Sequence, residues 1–339
     1  MTALATSARR TAAGLALAVA VLAVLLLLPG RVERGTQEIV LNLLIWVGVA
    51  QAWNIVGGIN GQLSLGHSVF VGAGGYTVAM LVIKGGLGWP VALLGGAALA
   101  GLLALAVSFP LLRLSGVYFT IGSSAVALGA LAWMVTWVWT GESRGLNIPL
   151  DAVPDRAVKF RVVAAVAVLT CTVAYLVLRT TFGLRLMAVR DDESAAAQLG
   201  VSPARVKRQA FVLSAVLTGL VGGTVALNQV SIEPNSMFGL KWTVTALVMV
   251  IVGGMGTTWG PVVGAFVIYY LVDRSLEDQP VVQALLSGVL VIAVIVVAPD
   301  GVVGLLRTGY ARLRALATRS PATQAAPRSP VGVRGGDHG

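Results

Sequence analysis

Charged side chains are scarce in this chain of 339 residues, because Asp, Glu, Lys and Arg together make up 11% of it. Typical soluble domains contain about 25%. Hydrophobic residues make up 57%, and this composition excludes an ordinary soluble globular protein. Cysteine is also scarce: Cys171 is the only one, which excludes a disulfide framework and a multi-cysteine metal site.

What the chain does contain is a series of nine long uncharged apolar runs. A helix needs about 20 apolar residues to cross the hydrocarbon core, and lipid accepts only backbones that satisfy their own hydrogen bonds. The sequence therefore predicts an all-α polytopic membrane protein with about 10 transmembrane segments, the first run being a retained span. The runs cover residues 12–28, 39–57, 63–83, 85–112, 114–140, 162–178, 210–231, 242–272 and 281–299.

The eighth run is unusually long and is interrupted at its centre by the sequence GGMGTTWGP, residues 253–261. Glycine and proline at this density end helices. The two arms then form either two short tilted spans or a re-entrant hairpin. Both alternatives return the chain to the side from which it came.

The distribution of basic residues tests this arrangement, because cytoplasmic loops carry an excess of Lys and Arg. With a cytoplasmic N-terminus, the inside holds 15 basic and 5 acidic residues, a net charge of +10, while the outside holds nine of each. The excess lies mainly in the loop 179–209 and in the tail. We therefore predict a transmembrane domain over residues 1–300 and a basic, largely disordered cytoplasmic tail over residues 301–339.

The loop 179–209 has the signals of a short independent helix. Acidic residues stand at its start, Ala195 to Leu199 favour helix, and Gly200 suits the C-terminal stop. Ser202 and Pro203 then begin a new helix. This segment either forms a short helix that docks in a groove of a partner protein or is an ordinary charged loop that orients the chain in the membrane.

Polar side chains cluster at the start of the third run, at Gln62, Ser64, His67 and Ser68. Ser64, Ser68 and Gly72 have the i, i+4, i+8 spacing of a small-residue stripe for helix packing. Large polar groups such as Gln62 and His67 are costly in lipid unless they face a cavity or a partner. We predict these four residues as candidate pathway residues, with buried hydrogen bonding as the alternative.

The second run also contains polar side chains, at Asn42, Gln51 and Asn54. Gln51 and Asn54 share a helix face, whereas Asn42 points elsewhere. For each of them we predict interhelical hydrogen bonds that hold the bundle together.

Four ordered stretches resemble the permease subunits of ABC importers of the branched-chain amino acid type, the LivM-like subunits. The similarity extends over about residues 42–297. The stretches are GLRLMAVRDDESAAAQLGVSPARVKRQAFVLSA (183–215), GGINGQLSLGHSVFVGAGGYTVAML (57–81), LRLSGVYFT with TGESRGLNIP (112–120 and 140–149), and GGMGTTWGPVVGAFV (253–267).

The resemblance implies that the loop 179–209 docks on ATP-binding subunits. Ser194-Ala195-Ala196 with Gly200 takes the place of the family's EAA…G pattern, although the glutamate is displaced to Glu193 and the downstream Ile-x-Leu-Pro is absent. The ATPase-coupling residues implied are Asp191, Asp192, Glu193, Ser194, Ala195, Ala196 and Gly200.

The resemblance also implies partners in a prokaryotic cell membrane: two ABC ATPase subunits, a second similar permease and an extracytoplasmic binding protein. The distribution of basic residues predicts that both termini are cytoplasmic. Membrane lipid is expected as a further partner, and nucleic acid is not. The chain has no Walker sequence, so we predict no cofactor and no enzymatic activity, with ATP bound by the partner subunits.

The absence of Asp, Glu, Lys and Arg from the interior of the runs disfavours a proton-coupled carrier and predicts an apolar pathway of low intrinsic affinity. Several functions remain open beside amino acid import. Permeases for urea, short amides or sugars share the architecture, and a stand-alone secondary transporter or channel is a further alternative. An intramembrane enzyme has little support, because the two histidines are His67 and His338 in the tail.

Overall fold

The computed structural model describes residues 2–270, 281–282, 285–286, 288–289, 292 and 301–304. Those residues form a bundle of α-helices with one small antiparallel sheet, in which β1 (Leu146–Asn147) pairs with β2 (Ser231–Ile232). Most of the tail 301–339 and of the ninth run 281–299 lies outside the described residues. The helices are α1 (Thr2–Leu27), α2 (Arg34–Asn54), α3 (Ser68–Ile83), α4 (Trp89–Leu111), α5 (Val117–Thr136), α6 (Arg156–Arg179), α7 (Thr181–Asp191), α8 (Glu193–Gln198), α9 (Pro203–Gln229), α10 (Pro234–Phe238), α11 (Lys241–Gly253) and α12 (Gly260–Ile268).

Six helical segments in the described part of the chain are long and apolar enough to cross a membrane, which supports the predicted all-α membrane fold. They are α2 with its π-helical extension to Ile59, then α4, α5, α6 and α9, and finally Pro234–Gly253, which joins α10 to α11. This finding does not test the predicted number of about 10 transmembrane segments.

The centre of the bundle is formed by α9, which packs against α3 and α4 on one side and α2 on the other. Glycines allow the backbones to touch: a Cβ on Gly74 of α3 would collide with the carbonyl of Gly219 on α9, and one on Gly222 would collide with the backbone of Val71. Small residues therefore do bring helices together here, as expected in a membrane bundle.

The predicted stripe of Ser64, Ser68 and Gly72 is wrong, because α3 begins only at Ser68. Gly61 has a positive φ of 73°, which ends the preceding helix, and residues 62–67 continue as irregular backbone. Side chains outside this segment form hydrogen bonds with part of its backbone: the indole N–H of Trp53 donates to the Ser64 carbonyl at 2.8 Å. The run 63–83 therefore contains a helix of 16 residues.

The predicted break in the eighth run is confirmed. Helix α11 ends at Gly253, α12 begins at Gly260, and the two pack as an antiparallel hairpin joined by the loop 254–259. A Cβ on Gly264 would collide with the Met249 carbonyl, so glycine is required for this close approach. The loop 254–259 therefore reverses the direction of the chain between α11 and α12.

The bundle has two distinct ends. One carries α7, α8, the C-terminal end of α2 and the loop 254–259, and we term it the α8 end. The other carries the β1–β2 sheet, α10, the N-terminal end of α2 and the C-terminal end of α9, and we term it the sheet end. Residues 140–145 lie at the sheet end as turns that lead into β1.

Candidate functional site

Helix α8 is capped as the sequence predicts. The Oδ1 atom of Asp192 accepts hydrogen bonds from the backbone N–H groups of Ser194 and Ala195 at 2.9 and 3.0 Å, and from the Ser194 hydroxyl at 2.7 Å. These bonds, that from Ala195 above all, favour the ionised carboxylate and lower the pKa of Asp192. Gly200, with φ at +83°, follows the C-terminal end of α8.

One side of α8 is buried and the other is free. Ala196 is 2% exposed and faces the protein, whereas Asp191, Ser194 and Ala195 are exposed. Leu199, directly after α8, is 83% exposed. Our sequence interpretation did not single out Leu199, although a leucine between a capped helix and its glycine stop is the signal that would have identified it.

An ion pair connects α8 to the central helix α9. The Lys207 Nζ donates to Glu193 Oε2, and the Lys207 side chain is 12% exposed while that of Glu193 is 52% exposed. The pair thus links α8 to a helix that packs against α2, α3 and α4.

Arg190, the residue before this acidic group, lies over the C-terminal end of α2. Its guanidinium pairs with Asp191 at 3.0 Å and lies 3.5 Å from the Gly58 carbonyl. Its aliphatic stem covers Gly61 so closely that a Cβ there would collide with Arg190 Cγ. A Cβ on Gly256 would lie 3.5 Å from Arg190 Nη1, so the same side chain also borders the loop 254–259.

The loop 254–259 is held by amide side chains of α2. Asn54 accepts from the Gly256 N–H at 2.9 Å and donates to the Thr257 carbonyl at 3.1 Å. Gln51 donates to the Thr258 carbonyl at 2.6 Å. The predicted interhelical bonds are therefore not what Gln51 and Asn54 form: both bond from α2 to a loop, because the glycines of residues 253–256 end α11 before it reaches them. Asn42 instead lines a cavity and has no hydrogen-bond partner within the described ranges.

His67 is fully buried, and both ring nitrogens are hydrogen-bonded: Nδ1 lies 2.9 Å from Ser64 Oγ and Nε2 lies 2.8 Å from Ser214 Oγ. The Ser214 hydroxyl donates its hydrogen to the Ala52 carbonyl at 2.6 Å, so we assign the proton to Nε2. The ring contacts Phe70 and Phe211 edge-on. His67 thus joins α2, α3 and α9.

The other candidate pathway residues have different surroundings. Ser64 and Ser68 are fully buried, and the Ser68 N–H donates to Thr243 Oγ1 at 2.8 Å. Gln62 is half-buried and accepts from Asn60 at 2.7 Å. None of the four lines any of the three cavities described next. Their role in transport stays a prediction.

Three of the cavities that open on the described bundle differ in the polarity of their walls. One of about 240 Å³ between α1, α2 and α6 and one of about 570 Å³ between α3, α4 and α5 are lined mainly by apolar side chains. The third, of about 670 Å³, lies at the sheet end, and its lining includes Glu38, Asn228 and Lys241. We term it the sheet-end cavity; our sequence interpretation missed it because its residues come from segments far apart in the chain.

Comparison with known proteins places the chain in a family. A profile of the family described as branched-chain amino acid transport system / permease component matches residues 35–298. The high-affinity branched-chain amino acid transport system permease protein LivM of Escherichia coli K12 is 30% identical over 85% of this chain and 75% of its own length.

Two further relatives match shorter parts. The probable branched-chain amino acid transport permease protein LivH of Methanocaldococcus jannaschii is 28% identical over 38% of this chain and 43% of its own length. The autoinducer 2 import system permease protein LsrC of Salmonella typhimurium is 27% identical over 46% of each chain. No solved structure matches. The extent of the family profile and the identity to LivM show that this chain belongs to the permease component family of branched-chain amino acid transport systems.

Proposed function

We propose that this chain is the membrane-spanning permease subunit of an ATP-driven importer, and that it translocates branched-chain or similar amino acids delivered by an extracytoplasmic binding protein. The family consists of transport permeases and not of enzymes, and its ATPases are separate subunits. The chain is a multi-pass membrane protein. The excess of basic residues at the α8 end supports a cytoplasmic location for that end and for both termini.

The family match over residues 35–298 carries the transport function, and the exposure of Leu199 carries the assignment of α8 as the docking element. A leucine that is 83% exposed, at the tip of a capped helix on the surface, has no partner to bury it in the described part of this chain. An apolar side chain on a short helix suits the groove of a partner protein. We assign α8, with Asp191 to Ala196 and Gly200, as the element that docks on the ATPase, and Leu199 as its apolar anchor.

Two contacts would transmit ATPase closure into the membrane. The Glu193–Lys207 pair moves α9, and Arg190 moves the π-helical turn Ile55–Ile59 and the loop 254–259. Both links start within three residues of the Asp192 cap. A shift of α8 would therefore tilt α9 and the α11–α12 hairpin together, which is the rocking required for alternating access.

The full assembly would contain two ATPases, a second similar permease and one binding protein. A single chain with one α8 offers one docking element, so two ATPases require two permease subunits. ATP would be bound by those partner subunits, because this chain has no Walker sequence.

An uptake experiment in a strain that lacks its own leucine transporters tests this function. The chain is expressed with its candidate ATPase, permease and binding-protein partners, and uptake of radiolabelled leucine, urea and ribose is compared. We expect leucine uptake that disappears when the ATPase is omitted. Uptake of urea or ribose but not of leucine would overturn the assignment of amino acids as the transported substrate. Leucine uptake without any ATPase would overturn the assignment of ATP hydrolysis as the energy source.

A further inference from the structure

The sheet-end cavity differs from the other two in the chemistry of its walls. It forms where the N-terminal turns of α2 and the first turn of α11 meet the C-terminal end of α9. Among the described residues, its lining carries one acidic side chain, Glu38, and one basic side chain, Lys241, on different helices. Both residues lie next to the uncharged runs rather than inside them.

The acidic group is paired through one of its two oxygens. Arg156, at the start of α6, donates from Nη2 to Glu38 Oε2 at 2.8 Å. In the part of the chain that the structure describes, Oε1 of Glu38 has no hydrogen-bond partner. Lys159 of α6 also interacts electrostatically with Glu38, so two cations of α6 act on this carboxylate. The unpaired oxygen can accept from an ammonium group of a ligand.

The basic group lies on α11. Lys241 is exposed, and its ammonium has no hydrogen-bond partner among the described residues. As the first residue of α11, it also lies at the positive end of the helix dipole. A ligand carboxylate in the cavity would interact with both the Lys241 ammonium and the N-terminal end of α11.

The wall near these charges is aromatic. Trp46 and Trp242 pack against each other with ring centroids 4.7 Å apart, and the Trp242 N–H donates to the Ser236 carbonyl at 2.7 Å, which holds the ring in place. Asn42 and Asn228 add amide groups to the same lining. The cavity therefore combines an anion, a cation, amides and a fixed apolar surface.

We propose that the sheet-end cavity binds a zwitterionic amino acid with an apolar side chain, its ammonium at Glu38, its carboxylate at Lys241 and its side chain against Trp46 and Trp242. Uncharged urea and sugars would leave both charges without partners. The proposal rests on the proposed function in that the bound amino acid is the cargo on its way to translocation.

Saturation-transfer difference NMR on the full chain in nanodiscs tests the site directly, since it detects weak ligands without partner subunits. The probes are leucine, leucinamide, which lacks the carboxylate, and 4-methylpentanoate, which lacks the ammonium. We expect leucine to bind about tenfold or more tightly than either analogue, because each analogue loses one charge-assisted contact. Glu38→Gln should weaken leucine but not 4-methylpentanoate, and Lys241→Gln should weaken leucine but not leucinamide.

Glu33→Gln and Arg34→Gln are the matched controls, because both residues lie at the start of α2 outside the cavity lining and should leave all three affinities unchanged. Leucine affinity that is unchanged in Glu38→Gln and Lys241→Gln, or no leucine signal at all, would overturn the site while leaving uptake by the assembled importer untouched. Failure of leucine uptake in cells, with selective binding intact, would instead overturn the proposed function.

Discussion

The Oδ1 atom of Asn54 on α2 accepts a hydrogen bond from the backbone N–H of Gly256, 2.9 Å away, and so fixes the loop 254–259 to the end of a membrane helix. The same side chain donates to the Thr257 carbonyl. Arg190 borders this junction from α7. The α11–α12 hairpin is thus bonded to α2 through the amides of Gln51 and Asn54, and Arg190, from the segment that leads into α8, contacts the Gly58 carbonyl beside this junction.

Removal of the Asn54 amide is expected to destabilise this junction. Asn54→Ala leaves the Gly256 N–H and the Thr257 carbonyl without their partner, which costs about 1–3 kcal/mol for a buried group. The measurement is thermal unfolding of the purified chain in detergent. Asn147→Ala, at an exposed position of β1, is the control and should leave the unfolding temperature unchanged. Equal unfolding temperatures for the two variants would contradict the assigned role.

Replacement of Leu199 is expected to weaken ATPase association without unfolding the chain. Leu199→Ser removes the exposed apolar anchor, so less ATPase should co-purify in mild detergent. Ala196→Asp differs in kind, because it places a charge at a position that is 2% exposed and should unfold α8 itself. Leu150→Ser, at a residue 79% exposed near the sheet end, is the matched control. Undiminished co-purification with Leu199→Ser would refute the docking assignment.

Arg190 is expected to affect the efficiency of coupling rather than assembly. Arg190→Gln removes the contact to the Gly58 carbonyl and should lower the amount of leucine transported per ATP hydrolysed about fivefold or more. Arg185→Gln, on an exposed position of the same helix, is the control. ATPase co-purification should be normal in both variants.

Gly61→Ala tests the same junction from the opposite side, because its Cβ would collide with the Arg190 stem and its φ of +73° disfavours alanine. It should lower coupling in the same direction as Arg190→Gln. Full coupling in both variants would show that the contact transmits nothing.

The α8 cap is expected to be lost in acid. The folded pKa of Asp192 is lowered, so its contribution to stability is fully present above the ordinary aspartate pKa of 3.8 and is lost as the pH falls through the folded value. Titration of ¹³C-labelled aspartate carboxyl groups measures this, with Asp192→Asn to assign the signal. A pKa at or above 3.8 would contradict the cap.

Local signals in the sequence predicted the segments whose structure is decided locally. Asp192 marks a helix start through its side-chain cap, Gly200 and Pro203 mark helix ends through their backbone preferences, and the glycines of residues 253–260 break the eighth run in the same way. His67, Ser214 and Ala52 could not be connected in this way, because their contacts join residues as many as 162 positions apart. Hydropathy alone likewise placed the start of the third apolar run at residue 63, because it does not detect the positive φ of Gly61. Helix α3 itself begins only at Ser68.

The sheet-end cavity likewise could not be predicted from the sequence. Glu38, Asn228 and Lys241 lie at the ends of three separate helices, where charged and polar side chains are ordinary on any single segment. Only the packing of α2, α9 and α11 brings them around one space. The resemblance to known permeases indicated the class of protein, but the cavity required the fold.

The source of energy for transport is the most direct test of the whole assignment. Proteoliposomes containing the chain alone, or the chain with its ATPase, second permease and binding protein, are loaded with ATP or placed under a proton or sodium gradient, and leucine uptake is measured. We expect uptake only from the complete assembly with ATP, and its loss in Leu199→Ser. Leucine uptake by the chain alone under an ion gradient would contradict the assignment and identify a secondary transporter.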